Sequence, residues 1–207
     1  MASFVPARFL KEWREFAQIQ DVSGTSQAER HTAILRQSAS LLAFAAHYGC
    51  LLAGDFDGLI PIDAGTEHDV FRHAATGRAW KITHPGRWQS RSDPPSEYLK
   101  NLQRLNVIAA PLDICIEGII AALEEPLIVS SMEWINGDHP DNDWFQREME
   151  SRGWSPTGLT SFAHQKSQVI IRDAYRDNFI LTPHARLIPI DLTVDPLPQG
   201  VGLHFST

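Results

Sequence analysis

The sequence predicts an α+β fold, and three observations carry that expectation. The first 50 residues place apolar side chains at helical spacing. From Leu59 onward the pattern changes to short apolar runs of strand length, interrupted by further helical stretches. Late in the chain, residues 169–171, 179–181 and 187–190 are three such runs around a polar loop, and the last of them delivers Asp191.

Residues 7–20 put Phe9, Leu10, Trp13, Phe16 and Ala17 on one face, with Pro6 suited to a first helical turn. Ser26-Gln27-Ala28-Glu29 reads as a capping box, and Ile34, Leu35, Leu41, Leu42 and Ala45 extend an apolar stripe until Gly49 can close the helix. Residues 1–50 are therefore expected to be a helical pair packed on the rest of the domain; the alternative is an arm that binds a protein partner. Gly65 to Phe71, a turn over 74–77 and residues 78–83 read as a hairpin. Asp93-Pro94-Pro95 offers an N-cap and first-turn prolines for a helix carrying Glu97, Tyr98, Leu99, Leu102 and Leu105. Two further strands are expected at 114–123 and 127–131, then a loop at 136–140. Asp141 or Asn142 can cap a helix bearing Trp144, Phe145 and Met149, which Gly153 ends. A Ser/Thr/Gly-rich connection leads to the final three strands.

Composition narrows the function. Lys plus Arg number 18 against 25 for Asp plus Glu, so the net charge of -7 gives no general attraction to nucleic acid or to an anionic membrane. Cys50 and Cys115 lie far apart and read as reduced thiols of a cytoplasmic protein. Arg8, Lys11, Glu12 and Arg14 interrupt any signal peptide, and the weakly polar stretch 39–54 is too short for a membrane span. The histidines lack zinc-helix spacing, and no Gly-x-Ser-x-Gly elbow supports a hydrolase triad. The acidic run 138–143 lacks an EF-hand's glycine and distal glutamate and reads as a solvated loop and helix cap. The six tryptophans are spread through the predicted elements, as core residues are.

Asp173 and Asn178 are separated by four residues, and Asp191 follows a tight turn over 182–186. Upstream, Lys81 sits in Ala79-Trp80-Lys81, and Glu97 lies on the next helix. Taken singly, Lys81 and Glu97 read as surface charges, and Asp173 and Asn178 as turn formers. In this order and spacing, the chain from about Gly65 to Asp195 resembles a minimal member of the protein-kinase-like superfamily. It is most similar to the small polyvalent protein kinase domains in proteins of phages and mobile elements, where a Gly-Glu-His-like turn precedes the lysine strand.

The resemblance implies a minimal two-lobed kinase-like fold, with a five-stranded N-lobe over 51–132 and a reduced C-lobe over 133–207. It implies that ATP and Mg²⁺ are bound. Lys81, held by Glu97, would neutralise phosphates, Asp173 would be the catalytic base, and Asn178 and Asp191 would be metal ligands. Gly65, Val70, Ala79, Met132, Glu133 and Trp134 would line the nucleotide, with Phe179 as a further wall; the apolar members serve equally well as plain core. The acceptor would be a protein hydroxyl or a small molecule. The chain departs from the family where Glu67 and His68 stand in place of glycines, Ile171 in place of histidine, Tyr175 in place of a phosphate-contacting lysine, and Leu192-Thr193 after Asp191. Arg176 is the candidate substitute for that lysine. The departures keep open a non-catalytic kinase-like scaffold that acts by docking a partner, and transfer of AMP instead of phosphate is a further alternative.

Overall fold

The computed structural model describes residues 4–19, 26–54, 56–88, 93–109, 112–122 and 125–198. The expected reach of the first helix to residue 20, and of one strand to Leu123, lies outside them. The protein is α+β and divides into two compact units, Met1–Trp134 and Ile135–Thr207.

In the first unit, α1 (Pro6–Ala17) buries Phe9, Leu10 and Trp13 along the predicted stripe. α2 (Gln27–His47) buries Leu41, Phe44 and Ala45, and Phe9 meets Phe44 edge-on at 5.1 Å. The helices share this unit with the sheet: α1 packs on α3 (Pro95–Ile108) and on β5 (Cys115–Ala122), and α2 packs on β5 and β6 (Glu125–Met132). The middle of each apolar stripe is thereby removed from water, which is what stabilises an amphipathic helix in a folded chain, while Phe16 and Leu35 stay exposed.

The capping box at the start of α2 is formed. Ser26 Oγ accepts from Glu29 N at 3.4 Å, and Glu29 Oε2 accepts from Ser26 N at 2.7 Å. The Ser26 hydroxyl, which donates to Glu29 Oε2 at 2.7 Å, and then the Ser26 amide hold the Glu29 carboxyl below its ordinary range. A carboxylate with a depressed folded pKa stabilises above its unfolded pKa, and that contribution is lost as pH falls through the folded value. Relative to the intrinsic exchange rate, which itself slows in acid, protection of the amides in the first turn of α2 should therefore fall as the pH drops through the lower carboxylate range. Ser26→Ala should raise the exchange rate and flatten that dependence; an unchanged acid profile in the variant would contradict the assignment.

The sheet of the first unit is mixed and six-stranded, in the order β1-β5-β6-β4-β3-β2. It comprises β1 (Leu51–Leu52), β2 (Leu59–Ala64), β3 (His68–His73) and β4 (Ala79–Thr83) with β5 and β6. Five strands were expected. The sixth is β1, only two residues long and paired in parallel with β5, too short to leave a period in the sequence. Its close approach requires Gly118, where a Cβ would lie 2.5 Å from the Cys50 carbonyl oxygen and 2.7 Å from Leu52 Cγ.

α3 starts one residue later than expected. Pro94, not Asp93, is the N-cap, and it supplies no side-chain bond. A buried helix end still requires acceptors for its amides, and Gln37 of α2 provides one, with its Oε1 accepting from Ser96 N at 3.1 Å.

The second unit begins directly after Trp134. Asp138 bridges Leu181 in both directions, Asp138 N to Leu181 O at 3.2 Å and Leu181 N to Asp138 O at 2.8 Å. Asp141 then caps α4 (Asn142–Ser151) by accepting from Trp144 N at 2.8 Å. Phe145 of α4 packs on Phe162 and Phe179, with ring centroids 6.0 and 4.8 Å away.

The Ser/Thr/Gly-rich stretch, expected to be a connection, is instead a hairpin of β7 (Trp154–Gly158) and β8 (Ser161–His164). It joins β9 (Val169–Arg172) and β12 (Thr193–Pro196) in an antiparallel sheet ordered β12-β9-β8-β7. Separately, β10 (Phe179–Leu181) and β11 (Leu187–Pro189) form a tight antiparallel hairpin. Among the described residues, no helix is long and apolar enough to cross a membrane.

Candidate functional site

The candidate residues fall into a group in each unit. In the first, Lys81 occupies β4, a strand flanked on both sides. It lies opposite Val70 of β3 and Ser130 of β6, while Ala79 lies opposite Met132. Alternation along β4 puts Ala79, Lys81 and Thr83 on the buried face. Lys81 is only 7% exposed and is not without a partner, as a buried ammonium requires. Beside it the Ser130 hydroxyl is buried with no hydrogen-bond partner among the described residues.

Glu97 lies in the first turn of α3, and its Oε1 is 2.6 Å from Lys100 Nζ. The carboxylate expected to hold Lys81 is thus seen bonded within its own helix. The next residue, Tyr98, ties that helix to β3 through a buried contact of its hydroxyl with His68 Nε2 at 3.1 Å. His68, which stands where the resemblance places a glycine, is therefore a strand-to-helix tie.

The turn before β3 is held by backbone bonds and by the His84 ring. Gly65 N donates to His68 O at 2.9 Å, and His84 N donates to Glu67 O at 2.8 Å. The His84 ring contacts the Thr66 carbonyl oxygen at 3.2 Å and Asp69 Oδ1 at 3.1 Å. Gly65 does not have the positive φ of the other turn glycines.

At the end of β6, Met132 is buried and the chain passes into Glu133 and Trp134. Glu133 N donates to the Leu112 carbonyl oxygen at 2.6 Å, and the Arg72 guanidinium lies 4.9 Å from the centroid of the Trp134 ring. Arg78 reaches the same linker, with Nη1 donating to Glu133 Oε1 at 3.0 Å. Nothing in the local sequence pattern marks Arg78, because its partners lie 35 to 55 residues away. Nearby, the Cys115 thiol is pushed up by burial and then by Asp113, while burial raises Cys50. Neither thiol is a ready nucleophile.

In the second unit, β9 ends at Arg172, and Asp173 turns the chain with φ 55, a left-handed conformation that Asp tolerates better than most residues. The Asp173 carbonyl oxygen accepts from Tyr175 N at 2.8 Å and from Asn178 Nδ2 at 2.6 Å. One carboxylate oxygen, Oδ2, accepts from the Thr193 hydroxyl at 3.1 Å. The loop is thus locked with Asp173 at an exposed position, its carboxylate tethered through Oδ2.

Asn178 ends a 3-10 turn, Arg176–Asn178. Donation by Nδ2 fixes its amide so that Oδ1 is the group left for a ligand. Its carbonyl accepts from Ile190 N at 2.8 Å, which brings Asn178 beside the segment that carries Asp191. Asp191 is half-buried and already engaged. Phe179, the remaining wall residue, is buried against Phe145.

The residues around this loop explain two departures noted above. Ile171 is buried between Phe162 and Val194 in the sheet register, so a core side chain suits the position. Arg176, the candidate phosphate contact, is paired with Asp177 at 3.3 Å and bonds the Pro140 carbonyl oxygen at 3.4 Å. Arg172 pairs with Asp195 at 3.2 Å.

An amide oxygen and a carboxylate are hard donors of the kind Mg²⁺ takes alongside phosphate oxygens, so the donor chemistry of Asn178 and Asp191 fits that ion. Among the described residues, no group of three or more His, Cys, Asp or Glu side chains is placed to hold a metal on its own. No protein-family model matches the chain. No curated protein matches it significantly.

Proposed function

We propose that the chain is an ATP- and Mg²⁺-dependent phosphotransferase of reduced kinase-like build. The observation that carries this reading is the Asp173 loop, in which Asn178 and Thr193 restrain a catalytic-base candidate at an exposed position. The element order of the first unit, hairpin, helix, then two strands, supports it.

In this reading Val70, Ala79 and Met132 to Trp134 receive the base, with Gly65 at the turn above the phosphates. Lys81 neutralises phosphate charge, and Glu97 exchanges Lys100 for Lys81 when nucleotide binds. Asn178 and Asp191 are the residues that hold Mg²⁺, which when bound offsets charge on the phosphate oxygens. Asp173 accepts the acceptor hydroxyl's proton as the oxygen bonds the γ-phosphorus and the bond to ADP breaks. The acceptor is a protein hydroxyl or a small molecule. Most of the rate enhancement then comes from positioning and charge stabilisation.

A second reading has its own observation. The turn over 65–69 is pinned by His84, and Glu97 is committed to Lys100, as suits a kinase-like scaffold that docks a partner without catalysis.

Thermal unfolding with saturating Mg²⁺-ATP separates the two, because a ligand of the native state raises apparent stability. The enzyme reading expects a rise for the wild type that Asp191→Ala removes. Intact mass then names the reaction, with a gain of one phosphate for phosphotransfer or of one AMP for nucleotide transfer. Absence of any rise in the wild type would refute the enzyme reading and leave the scaffold.

A further inference from the structure

We propose that Arg78 is a positioning residue for nucleotide-base recognition; this rests on the reading of Glu133 and Trp134 as the base-binding linker. Its side chain is 18% exposed and sits at the head of β4, one residue before Ala79, whose sheet partner is Met132.

The guanidinium is used along its whole edge. Nε donates to Ser131 Oγ at 2.9 Å, and that hydroxyl donates onward to Glu117 Oε1 at 2.5 Å. Nη1 donates to Asp113 Oδ2 at 3.3 Å and to Glu133 Oε1 at 3.0 Å, and Nη2 donates to the Asp113 carbonyl oxygen at 2.5 Å. One planar group therefore joins the entry to β5, the end of β6 and the first linker residue. The same residue's amide is held from the other direction by the Leu112 carbonyl, at 2.6 Å. Glu133 is fixed through both side chain and backbone, and its neighbour Trp134 is covered by Arg72.

A charge needed only for solubility is not enclosed by a serine, two carboxylates and a carbonyl. The fork geometry belongs to arginine: lysine keeps the charge but cannot span these acceptors. Without Arg78, Asp113, Glu117 and Glu133 are three like charges around the end of β6, and their repulsion displaces the linker. The phosphate-neutralising Lys81 is two positions beyond Ala79 in the same strand and paired to its neighbours by backbone bonds. A linker defect therefore weakens recognition of the base while leaving recognition of phosphate.

The test measures dissociation constants for Mg²⁺-ATP and for Mg²⁺-tripolyphosphate, which lacks a base, on wild type, Arg78→Lys and Glu133→Gln. Glu133→Gln removes one arm of the network and guards against a folding defect in Arg78→Lys. The expected result is ATP binding weakened about tenfold or more by Arg78→Lys, and less by Glu133→Gln, with tripolyphosphate unchanged. A parallel loss for both ligands, or no loss for either, would overturn the positioning role. Wild type that binds ATP no better than tripolyphosphate would overturn it as well. Wild type that binds neither ligand defeats the nucleotide reading itself, and the inference falls with it.

Discussion

Asp173→Asn is expected to keep Mg²⁺-ATP binding and to lower phosphotransfer by about 10²–10⁴-fold, the usual range for loss of a positioned general base. The substitution suits the site. Asparagine is among the few residues enriched at the left-handed φ of 55 that Asp173 adopts. The bonds from Tyr175 N and Asn178 Nδ2 end on the Asp173 backbone carbonyl, so they survive a change of side chain. The Thr193 hydroxyl can donate to an amide oxygen as it does to the carboxylate. What the variant loses is the ability to accept a proton. Release of ADP and the intact mass of the protein after incubation with Mg²⁺-ATP measure the turnover, and thermal unfolding with the same ligand measures the binding. Equal turnover in variant and wild type would remove Asp173 from the mechanism. A parallel loss of binding would make it a structural residue of the loop.

The same loop illustrates how far local sequence reaches. The spacing of Asp173 and Asn178 put both in one polar turn, and the structure joins them by a 2.6 Å bond. The third member of that contact, Thr193, comes from β12 and was legible only as a residue following Asp191. β12 has a single fully buried side chain, Val194, and one buried position makes no period. β7 is likewise obscure: after Trp154, the residues Ser155-Pro156-Thr157-Gly158 are small and largely exposed, so pairing rather than composition makes it a strand. Stripes and caps fared differently, because α1, the Ser26 box and the Asp141 cap are each written within a few residues. Where the decisive partner is distant, as with Gln37 on Ser96 or Arg78 on Glu133, the residue carries no local mark. Lys81 lies between these cases, since its strand was readable but its 7% exposure follows from neighbours on two other strands.

Gly137→Ala is expected to destabilise the second unit by about 3 kcal/mol or more, combining overpacking with loss of backbone bonds. Gly137 has φ 155 and stands directly against β10: an added Cβ would overlap the Leu181 carbonyl oxygen and approach Ile180 Cγ2 to 2.8 Å. Backbone cannot rotate aside as a side chain can. Relief requires the chain to move, which breaks the paired bonds between Asp138 and Leu181. Those bonds hold β10, the strand that begins directly after Asn178, so the damage reaches the candidate metal-binding segment. Gly77→Ala is the control, because Gly77 also has positive φ, at +69, but nothing lies within 4 Å of its Cβ position. It isolates the conformational cost of a side chain at positive φ, about 1–2 kcal/mol. Urea unfolding, together with exchange rates of the Asp138 and Leu181 amides, compares the two variants. The close approach predicts faster exchange at both amides and weaker Mg²⁺-ATP binding in Gly137→Ala alone. Equal stability of Gly137→Ala and Gly77→Ala would show that the loop carrying Gly137 is free to shift away from β10 and that the Asp138 bridge does not hold the hairpin.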